Sequence, residues 1–326
     1  MSNFYFGIIL DEKQAKINIM KNLILLFLFV SNLLYAQDFQ VLTSNGNNLI
    51  KLGNKKIWAG TALKNADVIT VAQNGYLGLM HLKTGKTIEI KKAGTYTMST
   101  LTPKTGNSSL GPKYSSYVAE ELFKGEKQDI NKNHRKYMAI TGAVSRDSRV
   151  LNEAKTLTVF TSDGAQEVYD NFVYLSWMPN SNDKIEKYYI QITNFNDETV
   201  ALLETDKNYL ELDMSIYKRA KNSDATFIIK VFTVEAPLYK GVFTVSLMDK
   251  TKKEGIKKEI GSTTPENALD YMIMAKYFEE KGLLLDAVKC YQKALALQNL
   301  DSYKNAYMEF LSRNKIGYTL NPDFKD

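Results

Sequence analysis

"ENALDYMIMAKYFEEKGLLLDAVKCYQKALAL", residues 266–297, decides how the carboxy-terminal part of this chain folds. Apolar residues recur in it at helical spacing, stop at Gly282 and resume beyond it, so two helices meet at a tight connection. Thr264–Pro265 supplies a cap and first-turn pair ahead of the first helix. In the second, Ala287, Tyr291 and Ala294 fall on one face at intervals of four and three, the geometry of a helix that packs along a single stripe. "DSYKNAYMEFLSR" (301–313) reads as a third, capping helix.

Upstream, the lysine-rich stretch 250–263 reads as a charged linker, and the period changes from helical to alternating. Residues 135–249 hold "KYMAITGAV", "LTVFT", "FVYLSW", "KYYIQITN", "TVALLET", "NYLELDM", "ATFIIKVFTVE" and "GVFTVSLMD", short runs separated by turn clusters. That spacing predicts a β-sandwich, with Trp177 in its core. Residues 103–134 are a connector with one short helix, "YVAEELF", bounded by Ser115–Ser116 and Gly125. Before it, residues 37–102 alternate and turn at Asn74–Gly75 and Thr84–Gly85, which predicts hairpins in a small antiparallel domain. In "TIEIK", Ile88 and Ile90 share one face while Thr87, Glu89 and Lys91 share the other.

Tyr271, Met274, Ala275, Phe278, Ala287, Tyr291 and Ala294 fill, in order, the alternating large and small positions of a tetratricopeptide repeat, which this tail resembles. Only one unit is visible, and Asn299 stands where the repeat usually ends in proline. By the same resemblance, Leu269, Met272, Lys276, Glu279 and Glu280 would form the face that receives a partner. The segment "GNKKIWAGTALKNADVITVAQNGYLGLMHLKTGKTIEIKKAGTY" resembles a FecR-like β-domain of bacterial envelope proteins, and 135–249 is similar to fibronectin type III and immunoglobulin-like sandwiches. The implied fold class is multidomain β plus α: a small antiparallel β-domain, a β-sandwich, and a C-terminal tetratricopeptide-type helical hairpin with a capping helix in residues 264–326. One repeat cannot bury its own apolar faces, so the tail must dock on the sandwich, on a second copy, or on a partner.

Residues 1–36 read as an upstream extension followed by a signal peptide. Lys21 precedes eight consecutive apolar residues, Leu23 to Val30, too short a run for a membrane span, and Ala36 before Gln37 suits cleavage. Translation from Met20 explains the extension; retention as a short anchor, which would bring membrane contact, is the alternative. The implied location is periplasmic or secreted. After removal of residues 1–36, 39 basic and 34 acidic residues remain, a net charge of +5, with only five arginines. So mild a charge, so poor in bidentate forks, argues against nucleic acid as a partner. A single cysteine rules out an internal disulfide, and stability must come from two or three apolar cores.

No catalytic, metal or cofactor constellation emerges. His81 and His134 read as surface residues and Cys290 as a small apolar filler on a helix. Ser181 with Lys184, and Ser215 with Lys218, match a serine–lysine spacing that chance supplies in a lysine-rich chain. The acidic turns around Asp163 and Asp197 lack the alternating ligands of a calcium loop. Trp58 and Tyr76 could stack on a sugar, although a sheet core accounts for them. The reading that follows is a non-enzymatic envelope interaction or assembly module with a protein partner or self-association. An envelope sensor of signalling and, further off, an envelope-polymer hydrolase are the alternatives.

Overall fold

The structure is a computed structural model and describes residues 37–103, 110–127, 157–159, 165–179, 185–217, 226–233, 242–261, 264–314 and 316. Among these lie four sheets and five α-helices, a β plus α architecture. The expected signal segment with Ala36, the strand expected at "KYMAITGAV", His134, Ser181, Lys184 and Lys218 fall outside the described residues.

The first eight strands are β1 (Phe39–Asn45), β2 (Leu49–Ile50), β3 (Lys55–Lys56), β4 (Ala62–Leu63), β5 (Val68–Val71), β6 (Tyr76–His81), β7 (Lys86–Ile90) and β8 (Gly94–Thr97). They form two antiparallel sheets, β4-β1-β6-β7 and β3-β2-β5-β8. Phe39, Val41, Leu77 and Leu79 from the first meet Ile69 and Val71 from the second, and Met98 just past β8, in one core. The hairpin expected at Thr84–Gly85 is present, joining β6 to β7, with Gly85 at φ 68°. At Asn74–Gly75 the expectation fails, because β5 pairs with β2 and β8 and never with β6. That turn carries the chain from the outer sheet to the inner one. Asn48 makes the crossing: its Oδ1 accepts from Ala72 N (3.1 Å), and its Nδ2 donates to Ser44 Oγ (3.1 Å), Asn45 O (2.9 Å) and Tyr76 O (3.0 Å). A Cβ on Gly75 would lie 2.7 Å from that Oδ1 and 2.8 Å from Ala72 O, so only glycine fits.

Helix α1 (Gly111–Lys127) is longer than the short helix expected. Ser115, Ser116 and Gly125, read as its bounds, lie inside it. Tertiary burial of Tyr114, Val118 and Leu122 outweighs the weak propensity of those residues.

Strands β9 (Leu157–Val159), β10 (Gln166–Val168), β11 (Phe172–Pro179), β12 (Tyr188–Asn194), β13 (Thr199–Thr205), β14 (Tyr209–Asp213), β15 (Thr226–Phe232) and β16 (Val242–Leu247) follow. They build a five-stranded sheet, β10-β16-β15-β12-β13, and a three-stranded sheet, β14-β11-β9. Alternate residues of both, among them Val173, Leu175, Trp177, Ile190, Ile229 and Val245, enclose a second core. The pairing of β10 with β16 is parallel, an exception to the antiparallel pattern of the rest. The turn at Asn194–Glu198 closes on itself as expected, with Asn194 Oδ1 accepting from Asn196 N (3.0 Å) and Glu198 N (2.9 Å).

The expected linker at 250–263 contains a helix, α2 (Lys250–Ile260). Asp249 caps it by accepting from Lys252 N (2.9 Å), and Gly261 ends it at φ 79°. The five lysines within it concealed an i, i+4 pair, Ile256 and Ile260, which is buried. Helices α3 (Ala268–Glu280), α4 (Leu284–Leu297) and α5 (Asp301–Arg313) then match the three expected in the tail. The cap of α3 is Asn267, which accepts from Asp270 N (3.0 Å), and not Thr264. No described helix is long and apolar enough to cross a membrane.

One core holds these pieces together. It runs from Leu42, Tyr76 and Met80 of the inner sheet, through α1, into α3, α4 and α5. The tail is therefore covered by the chain's own first domain.

Candidate functional site

The alternation of size in the tail is what lets α3 and α4 approach. Ala275, Ala287 and Ala294 are fully buried, and Phe278 and Tyr291 fill the space beside them. Tyr291 stacks on Tyr307 at 5.4 Å and tilts against Phe310 at 4.8 Å, which seats α5. Tyr271 and Met274 are only half-buried and look outward toward the β-sheets.

Most of the face that the repeat resemblance reserves for a partner is already occupied, with Glu280 left exposed. Leu269 and Met272 are buried, and a Cβ on Gly78 of β6 would come within 2.7 Å of Leu269 Cδ1. Lys276 lies 3.9 Å over the Tyr117 ring of α1. Glu279 receives a two-pronged Arg313 contact, Nε to Oε1 at 3.0 Å and Nη2 to Oε2 at 3.1 Å, together with Asn314 Nδ2 at 3.0 Å. Burial alone would raise the Glu279 carboxyl, but these bonds outweigh it and hold the group below its usual range. Glu280 accepts from the Tyr114 hydroxyl at 2.9 Å. Helix α1, absent from the repeat pattern, supplies two of these partners, Tyr114 and Tyr117, and the end of α5 supplies Arg313 and Asn314.

The joint to the first domain is polar as well as apolar. Glu89 Oε1 accepts from Ala268 N (3.0 Å) and Leu269 N (3.4 Å), placing a carboxylate at the amino end of α3, where the helix dipole favours it. Thr87 donates to Asp270 Oδ1 at 2.6 Å. So the polar face of "TIEIK" is the docking face for the helix.

On the other side, the tail meets the second β-domain through Asp286 in the first turn of α4. Its Oδ2 accepts from Tyr169 N (2.8 Å) and its Oδ1 from Asp170 N (2.9 Å), while the residue is only 3 % exposed. Burial pushes its carboxyl up to about 6, against the downward pull of the two amides. Beside it a pocket of about 420 Å³ opens at the seam. Tyr271, Met274, Phe278 and Cys290 of the tail form one wall, Tyr169, Asp170, Phe172 and Glu211 the other, and Lys289, Lys293 and Pro265 complete the rim. Lys289 bonds Asp170 Oδ2 at 2.7 Å and lies 4.6 Å over the Phe172 ring. Phe172 is nevertheless 42 % exposed, and Lys293 is exposed on the next turn. Three of the seven repeat-packing residues, Tyr271, Met274 and Phe278, thus line a cleft on a face not anticipated for binding.

Among the described residues, Cys290, His81 and Ser215 are engaged in structure. Cys290 is buried, and burial raises its thiol far above the ordinary range, which leaves it protonated. His81, expected on the surface, is buried: it packs on Phe39 at 5.0 Å, shares a hydrogen bond with Thr84 Oγ1 at 2.9 Å, and burial lowers its basicity. Ser215 donates to Asp213 Oδ1 at 2.6 Å. Among the described residues no group of three His, Cys, Asp or Glu side chains could hold a metal ion. Tyr76 is buried, bonded to the Tyr303 hydroxyl at 3.0 Å, whereas Trp58 is exposed and does not belong to a sheet core. Comparison with protein-family models and with curated proteins finds no match to this chain.

Proposed function

We propose that the chain is a non-catalytic, exported cell-envelope module that binds a protein partner at the cleft between its helical tail and its second β-domain. The tail is read as a single tetratricopeptide-type unit, the first domain as FecR-like, and the middle domain as a fibronectin- or immunoglobulin-like sandwich. The observation that carries the proposal is the seam pocket, whose aromatic and thioether walls remain open while four of the five residues on the anticipated repeat face are covered or packed against neighbours and only Glu280 stays exposed. Half-buried aromatic and methionine surface beside the exposed ammonium of Lys293 suits a peptide segment that presents an apolar side chain next to an acid.

Deleting residues 264–326 would strip a shared core and confound recognition with unfolding. Photocrosslinking from the intact surface avoids this. A benzophenone side chain placed at position 172 should capture a protein from envelope extract, and the same probe at Leu297, also exposed but away from the pocket lining, should not. Lys293→Glu should abolish the adduct at 172 without altering the melting temperature. Equal labelling from both positions, or an adduct indifferent to Lys293→Glu, would remove the seam as the contact.

A further inference from the structure

The first β-domain carries a second feature, independent of the seam. Between Asp38 and Asp67 the chain has no acidic residue, yet it holds Lys51, Lys55, Lys56 and Lys64. Three of these lysines cluster on the β2–β3 arm at the edge of the outer sheet, which none of the described α-helices shares a core with. The arm turns through Gly53 (φ 78°) and Asn54 (φ 49°), two successive left-handed residues that make a tight tip. The tip thrusts Leu52 into solvent, where it is 84 % exposed. Six residues on, Trp58 is 44 % exposed, with the Lys56 ammonium 4.1 Å from its ring centroid. The root is fixed: Ile57 is fully buried, and its N–H donates to Asn48 O at 2.9 Å. The arm is thus a braced hairpin that presents an aliphatic tip, an indole and three cations.

Lysines on an edge strand by themselves serve to prevent strand-to-strand association. That role explains Lys55 and Lys56 but leaves Leu52 and Trp58 without one. Charge alone would suit any polyanion, and an indole would stack on a base or a sugar, but neither gives a use to an extruded leucine. A surface with negative charge above and hydrocarbon beneath uses all of these groups. Lysines meet the headgroups, tryptophan sits at the interface, and leucine enters the acyl boundary.

We propose that the Lys51–Trp58 arm docks the protein peripherally on an anionic lipid surface. The full chain should co-sediment with phosphatidylcholine vesicles that contain phosphatidylglycerol, and not with phosphatidylcholine alone, with binding weakened by added salt. Trp177 is fully buried, so a blue shift of tryptophan emission on binding reports Trp58 and should vanish in Trp58→Phe. Leu52→Ser should weaken binding about tenfold with the salt dependence kept, and Lys55→Glu with Lys56→Glu should weaken it about a hundredfold with the salt dependence reduced. All these sites are exposed, so unchanged melting temperatures will separate lost binding from lost fold. Absence of binding to the anionic vesicles, or binding that survives both sets of substitutions, would overturn the proposal. So would equal capture by soluble heparin or polyphosphate with no effect of Leu52→Ser, since charge alone would then suffice.

Discussion

Replacing Asn48 by alanine is expected to lower the stability of the folded chain by about 3 kcal/mol, because one fully buried side chain satisfies four polar partners. Its removal leaves the carbonyls of Asn45 and Tyr76 and the amide of Ala72 short of a partner, beside a cavity that water enters at some cost. Asn48→Asp is the sharper variant. It keeps the oxygen that serves Ala72 but sets a second oxygen against those two carbonyls, so it should cost more than alanine despite its nearly identical shape. Urea unfolding followed by circular dichroism measures both. A loss under about 0.5 kcal/mol, the size of an ordinary surface change, would mean the crossing between sheets does not depend on this residue.

The second large effect is a pH dependence centred on Asp286. Its carboxyl is raised in the folded state from 3.8 to about 6, so the folded chain holds that proton more tightly than the unfolded chain. A raised acid stabilises the fold fully below about pH 4, and the contribution is lost as pH climbs through about 6; the interval amounts to about 3 kcal/mol. Asp170, Lys289 and Cys290 are the ionisable neighbours, and Lys289 already opposes the shift. Burial raises the Asp270 carboxyl in the same sense, and the Arg313 and Asn314 bonds hold Glu279 in the opposite one. The informative quantity is therefore the stability of wild type minus that of Asp286→Asn. That difference should fall by about 3 kcal/mol between pH 4 and pH 7. A flat difference would show that the carboxylate is not penalised by burial and that the tail meets the second domain more loosely.

How much of this was legible beforehand depends on which interaction dictates each element. Helices α3, α4 and α5 were readable because their apolar spacing and the small residues at 275, 287 and 294 answer to contacts within the tail itself. Strands β11 to β16 were readable because alternate residues point into one core. What escaped was dictated from a distance. Helix α2 was hidden because only Ile256 and Ile260 reach the core from a lysine-rich surface. The turn at Asn74–Gly75 carries a hairpin signal, yet Asn48, 24 residues before Ala72, sends the chain to the other sheet. Histidine 81 looks like an exposed strand residue until Phe39 and Thr84 close over it. The covering of most of the expected partner face was hidden for a related reason: the repeat pattern carries no information about α1, whose Tyr114 and Tyr117 contact Glu280 and Lys276. Asp286 gave one signal that could have been read, a lone acid in the otherwise apolar run from Leu283 to Val288.

The seam cleft exists because the tail is held by both β-domains at once. Native-state hydrogen exchange tests this most directly, by comparing the amides of β6 with those of α3, α4 and α5 before and after Ala287→Trp, which overpacks a fully buried contact at a cost of about 1–3 kcal/mol. A shared core predicts that protection falls by the same free energy in the helices and in β6. Loss confined to the helices, with β6 unaffected, would show that the tail opens on its own and contradict the account.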